Sequence, residues 1–142
     1  MGIFNSIETS ASGLNAQRVR MDTIAENIAN VNTTRTEKGG PYRRKDVAFA
    51  SYLKKSMTEE GHIDQQRGVK VKKVTEDTKP PRLIHDPSHP DADENGNVAM
   101  ANVDLPTEMA NMISANRGYE ANVTALNTSK NMFMKALEIG KR

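Results

Sequence analysis

A chain of 142 residues with 20 basic and 18 acidic side chains, a net charge of +2 and no cysteine suits one domain, with no disulfide framework, thiolate nucleophile or zinc-thiolate site. The near-balanced charge is far from that of most nucleic-acid binders, and no apolar run is long enough to span a bilayer. Leu, Ile, Val and Phe make only about 18% of the chain and tryptophan is absent, so a large private core is not expected and order should depend on neighbours.

The N-terminus, "MGIFNSIETS", lacks the basic start and continuous apolar stretch of a secretory signal. It opens instead a stripe in which Phe4, Ile7, Ala11, Leu14, Arg18, Met21, Ala25 and Ile28 step by three and four. That spacing predicts a helix over Phe4–Asn30 with a narrow apolar side and a polar side of Asn5, Asn15, Gln17, Asp22 and Glu26. The helix runs into "NIANVNTTRT" (27–36). Asn27 and Asn30 share one face. Asn30 and Asn32 are residues that bond nearby backbone or adopt left-handed geometry, which suits a helix end. Ala25 and Ala29, four apart, leave room for a second helix beside them.

The middle has a different composition. "EKGGPYRRKDVAF" (37–49) opens with Gly39-Gly40-Pro41, which breaks a helix. "RGVKVKKV" (67–74) alternates Val69 and Val71 with Lys70 and Lys72, as a half-exposed strand does, and its lysines suit a sheet edge. "MTEEGHID" (57–64) reads either as loop or as a strand approach. "KPPRLIHDPSHPDADENGNVAM" (79–100) is proline-rich and carries Asn95-Gly96, a hairpin-turn signal.

The last segment returns to helical spacing. Met109, Met112, Asn116, Tyr119, Val123, Leu126, Lys130, Phe133 and Leu137 step by three and four, which predicts a helix over Thr107–Ile139. Asp104 is a natural N-cap, Pro106 suits the first turn, Glu108 the positive helix end and Gly140 a stop. Asn116 and Lys130 are expected in the seam between helices, where polar residues fix register. Gly13 and Gly118, in mid-helix, mark close backbone approach. The reading is mainly α with a small β insertion. It comprises a helix and Asn-rich exit over 1–34, a loop-rich β element over 35–102, and a long helix over 103–142, the two helices pairing in a coiled-coil-like manner as one core. Each helix is longer than the insertion can cover, so the excess is expected to meet other helices.

Candidate sites of chemistry are few. Asp91, Asp93, Asn95 and Gly96 match the first half of an EF-hand loop, but the twelfth position is Asn102, not the required bidentate Glu. His85, Asp86 and His89 are metal-ligand types pinned between Pro87 and Pro90, and solvated loop histidines explain them as well. Arg43-Arg44-Lys45 and Lys70-Lys72-Lys73 lack the interleaved aromatics of a nucleic-acid surface, having only Tyr42 nearby. No nucleophile elbow, P-loop or dinucleotide fingerprint occurs. The expectation is a non-enzymatic protein with no cofactor, no nucleic acid and no small-molecule substrate. The alternative is a small calcium- or metal-responsive binding module using 85–96.

"AENIANVNTTRT" resembles the N-terminal signature of the flagellar rod, hook and hook-junction proteins, and "VDLPTEMANMISANRGYEANVTALNTSKNMFMKALEIGK" is similar to their terminal helix. "GGPYRRKDVAF" and "DPSHPDADENGNVAMANVDL" resemble the proximal-rod members in particular. The resemblance implies a structural subunit that polymerises through its terminal helices into the drive shaft crossing the periplasm. It also implies export through the flagellar type III system without a cleaved signal. The implied partners are other copies of the chain, sister proximal- and distal-rod proteins, the adaptor to the export gate and the export apparatus itself. On this reading Phe4, Ile7, Leu14, Met21 and Ile28 line the first helix's interface. Met109, Met112, Asn116, Tyr119, Val123, Leu126, Phe133 and Leu137 line the last, and Asn27, Asn30 and Thr33 form the signature that fixes the chain's exit.

Overall fold

The computed structural model describes the backbone of residues 3–57 and 63–140 and the side chains of 5–53 and 67–140. Its elements in order are helix α1 (Ile3–Ala29), strands β1 (Lys45–Met57), β2 (Ile63–Glu76), β3 (Arg82–His85) and β4 (Asn97–Met100), and helix α2 (Leu105–Gly140). The helices have 27 and 36 residues, or about 40 and 54 Å at 1.5 Å per residue. Both start within two residues of the sequence expectation, and the middle is β with loops.

The helices run antiparallel, and contacts along their length fix the register. Ser6 Oγ donates to Ser129 Oγ at 3.2 Å, Asn27 Nδ2 reaches Glu108 at the other end, and between them Asn122 lies over Gly13 and Gln17 over Gly118. A Cβ on Gly13 would sit 3.0 Å from Asn122 Nδ2, and one on Gly118 would sit 3.0 Å from Gln17 Nε2. The two glycines therefore set how closely the backbones approach, as their mid-helix positions suggested. From this register α2 runs past the first described residue of α1 with its last two turns, from Phe133 onward.

β1 and β2 form a two-stranded antiparallel hairpin with an irregularity between Ala48 and Phe49, and β3 and β4 form a second. The strand expected over 67–74 lies within β2. The expected turn at Asn95-Gly96 holds too: Gly96 has φ +72°, a value glycine adopts without strain. α1 closes the outer edge of β2, since Thr9 Oγ1 donates to the Arg67 carbonyl at 2.6 Å and Val69 N–H donates to Ser12 Oγ at 3.1 Å. Ala16 and Thr23, spaced in step with Thr9 and Ser12 along α1, are buried. The described apolar core is small. Tyr42, Ala101 and Val103 cluster with Val31 against them, joined to the helix pair where α1 ends and α2 begins.

Candidate assembly face and its polar hub

Asn27, near the end of α1, is completely buried, and every hydrogen-bonding atom of its amide is engaged. Oδ1 accepts from the Tyr42 hydroxyl at 3.0 Å and from the Lys45 N–H at 2.8 Å. Nδ2 donates to the Lys45 carbonyl at 2.8 Å and to Glu108 Oε2 at 3.1 Å. Pairing with both backbone groups of Lys45 imitates a rung of a β-ladder, so the helix supplies the neighbour that the first residue of β1 would otherwise lack. The carboxamide read from the sequence as part of the exit signature is a strand partner.

Glu108 completes the hub from α2. Its carboxylate is buried, and Arg44 Nε donates to Oε1 at 2.8 Å. Arg44's own N–H is held by Asn102 Oδ1 at 2.8 Å. A buried charge is tolerable when paired and hydrogen-bonded, and removing one partner costs about 3–5 kcal/mol. Glu108 lies in the first turn of α2, as the sequence suggested, and its burial makes it a structural ion-pair partner as well. Lys45 forms an ion pair with Glu26 on the rim, and its ammonium lies 5.8 Å from the Tyr42 ring centre, within cation–π range. Burial, followed by the charges of Glu26, Glu108 and Glu76, pushes the Tyr42 hydroxyl up to about 12, so it remains a donor to Asn27 at neutral pH.

Asn30 and Thr33 build the turn that returns the chain to this hub. Asn30 Nδ2 satisfies the Glu26 carbonyl at 2.9 Å, its Oδ1 accepts the Thr33 hydroxyl at 3.1 Å, and the Thr33 carbonyl accepts the Tyr42 N–H at 3.1 Å. Asp104 caps α2 through the Thr107 N–H at 3.2 Å, in the N-cap geometry its sequence position implies.

The helix seam itself differs from expectation. The residues whose contacts set the register, Ser6, Gly13, Gln17 and Asn27 against Ser129, Asn122, Gly118 and Glu108, are small or polar, and the buried apolar residues on the same faces are Ile24 and the small Ala115. The apolar stripes read from the sequence sit one position further along each helix. One residue rotates a helix face by about 100°, and in an antiparallel pair the same step turns both faces toward the same side. The stripes therefore share one face, turned away from β2. On it Ile7, Leu14, Met21 and Ile28 and, from α2, Met112, Tyr119, Val123, Leu126 and Phe133 are half-buried. Met109 and Leu137 are 55% and 49% exposed, and Asn116 and Lys130 are exposed rather than in the seam. Phe4's side chain lies outside the described residues. Gln17 Oε1 is buried with no partner among the described residues, and such an orphan costs about 1–3 kcal/mol. The seam holds the helices in register, with its stability concentrated at the Asn27–Glu108 end.

Asp93 and Asp86 of the acidic hairpin are taken up within it, and Asp91 accepts the Thr34 hydroxyl at 2.8 Å. Asp93 Oδ1 accepts the N–H groups of Asn95 (2.9 Å) and Asn97 (2.8 Å). Asp86 accepts the Ser88 hydroxyl at 2.6 Å and its N–H at 3.1 Å, which hold the Asp86 carboxyl below the usual range. Among the described residues no three metal-ligating side chains converge.

The helix pair closes on itself largely through small and polar residues and leaves an apolar row only half-covered by its own fold. Residues 7–35 match the family described as flagella basal body rod protein, and residues 94–139 match the flagellar basal body rod FlgEFG protein C-terminal family. Over 152 aligned residues the chain is 47% identical to the flagellar basal-body rod protein FlgC of Bacillus subtilis (strain 168), covering 99% of this chain and 100% of the relative. It is 45% identical to FlgC of Borreliella burgdorferi, covering 98% of each. It is 38% identical to FlgC of Salmonella typhimurium (strain LT2), covering 99% of this chain and 100% of the relative. The chain belongs to the FlgC family of flagellar basal-body rod proteins. Its role is that of a structural subunit of the rod, not an enzyme, and its place is the flagellar basal body, among other rod components.

Proposed function

We propose that the chain builds the proximal rod by polymerising through the shared apolar face of α1 and α2, the pair acting as one coiled-coil-like unit. The observation that carries this reading is the displacement of the apolar stripes from the seam. Ile7, Leu14, Met21, Ile28, Met112, Tyr119, Leu126 and Phe133 are only half-covered within one subunit, and side chains of this kind gain about 1.5–3 kcal/mol each on full burial. The exposed Met109, Met134 and Leu137 extend that surface along α2. The partners on this reading are further copies, sister proximal- and distal-rod proteins, and the adaptor at the export gate. Asn27, Asn30 and Thr33 fix the angle at which the chain leaves the helical layer. Passage through the type III channel in unfolded form, to a rod crossing the periplasm, is supported by the small apolar core, which makes the subunit easy to open.

Leu126→Asp tests the reading. A carboxylate on the face should abolish incorporation into rods while the exported subunit stays soluble and helical. Normal rods and motility in that variant would overturn it.

A further inference from the structure

The two outer edges of the β1–β2 hairpin are finished differently. On β2, Thr9 and Ser12 of α1 occupy the outward groups of Arg67 and Val69. On β1 the outward groups are occupied only at the start, at Lys45 by Asn27 (2.8 Å each way) and at the Val47 N–H by Asp46 Oδ1 (3.0 Å). Strand alternation carries the outward direction on to Phe49, Ser51 and Leu53, whose partners in the register are Val71, Val69 and Arg67. Among the described residues nothing pairs with the outward backbone of that stretch. Phe49 and Leu53 stand 37% and 49% exposed beside it. Neither proline nor a charged residue guards the edge between Phe49 and Leu53, although exposed edges are normally protected by such devices.

We propose that β1 from Phe49 to Leu53 is a strand-addition site for an extended, carboxylate-bearing segment of another polypeptide. The backbone supplies alternating donors and acceptors, the mode by which sheet edges take up peptides. Charge selects the occupant. Lys73 lies opposite Ala48 and Lys70 opposite Ala50, and both lysines are exposed. The small alanines leave an open lane over β1. The added strand would lie two strand spacings from β2, about 10 Å, a distance that a lysine and a glutamate side chain bridge together. Tyr52 borders the lane, its ring folded over Gly68 so closely that a Cβ there would be 2.6 Å away. A second copy of β1 is a poor occupant, because its stretch from Val47 to Leu53 contains no carboxylate and it would bring its own lysines alongside. The site is separate from the helical face and does not depend on it.

The test is a titration of the full-length chain with a fluorescein-labelled decapeptide alternating threonine or valine with glutamate. Three perturbations accompany it: the same peptide N-methylated at alternate amides, the variant Ser51→Pro, and the double variant Lys70→Glu with Lys73→Glu. Proline at 51 removes an outward N–H and leaves the ladder to β2 intact, as edge strands allow. Saturable binding is expected to the native chain, weakened at least about tenfold by each perturbation, the cost of roughly one hydrogen bond or charge pair. Absence of binding to the native chain, or binding indifferent to peptide methylation, would overturn the proposal, and neither result depends on a variant folding. Concentration-dependent self-association abolished by Ser51→Pro, with no peptide uptake, would assign the edge to a second copy and overturn the acidic occupant.

Discussion

Replacing Asn27 by alanine should cost more stability than any other single change in α1. The truncation removes all the bonds of the amide at once. Lys45 is half-exposed, so its N–H and carbonyl recover water. The Tyr42 hydroxyl and Glu108 Oε2 stay buried, and each loses its Asn27 partner. At about 1–3 kcal/mol for each orphaned group the loss is about 2–6 kcal/mol, a large part of the 5–15 kcal/mol that holds an ordinary domain together. Urea unfolding followed by far-UV circular dichroism measures it, as a lowered midpoint at constant slope. Asn27→Asp keeps the acceptor but turns a second carboxylate toward Glu108, and should be at least as damaging at neutral pH. Asn30→Ala, which loses only half-buried capping bonds, should cost about 1 kcal/mol. A loss below about 1 kcal/mol for Asn27→Ala, less than a single orphaned group is worth, would refute the hub as the anchor of the helix pair.

Other outcomes follow from the same geometry. Gly13→Leu places a branched side chain where Asn122 packs, and should lower stability by about 1–3 kcal/mol as overpacking does, despite the better helix propensity of leucine; calorimetry reads it as a lower Tm. Tyr42, with its pKa raised from 10.0 to about 12, holds its proton more tightly folded than unfolded. Its contribution to stability is therefore complete below pH 10 and lost as pH rises through 12, so native protein should show an alkaline loss in that window that Tyr42→Phe lacks. Glu108→Gln, which leaves the Arg44 guanidinium without its carboxylate, should cost about 3–5 kcal/mol and should not be rescued by lowering the pH.

Much of the fold was legible because its signals are local. Helical spacing, the Asp104 cap and the Gly39-Gly40-Pro41 breaker placed both helices and the β insertion. The alternation of Val69 to Lys72 marked a strand, and Asn95-Gly96 marked a turn. The helix seam was not legible, because Ser6, Gly13, Gln17, Asn122 and Ser129 have no hydrophobic period and Ile24 and Ala115, the buried apolar residues on those faces, fall off the rows of leucines and methionines one position away. Arg44, Tyr42, Asn102 and the buried role of Glu108 were missed for a related reason. Each bonds a residue far along the chain, and nothing near Glu108 in sequence announces a guanidinium contributed from residue 44. The one available signal was Asn27 itself, a carboxamide three residues before the cap-like Asn30, which a helix end does not require.

The central claim is that the row of Ile7, Leu14, Met21, Tyr119 and Leu126 is only half-buried in the free subunit and fully covered in the rod. The chain has no cysteine of its own, so a single thiol at position 14 or 126 reports on that face without background. Maleimide labelling should be fast on the purified subunit carrying Leu14→Cys or Leu126→Cys and strongly suppressed in intact basal bodies built from it. Equal reactivity in the two states would contradict the account.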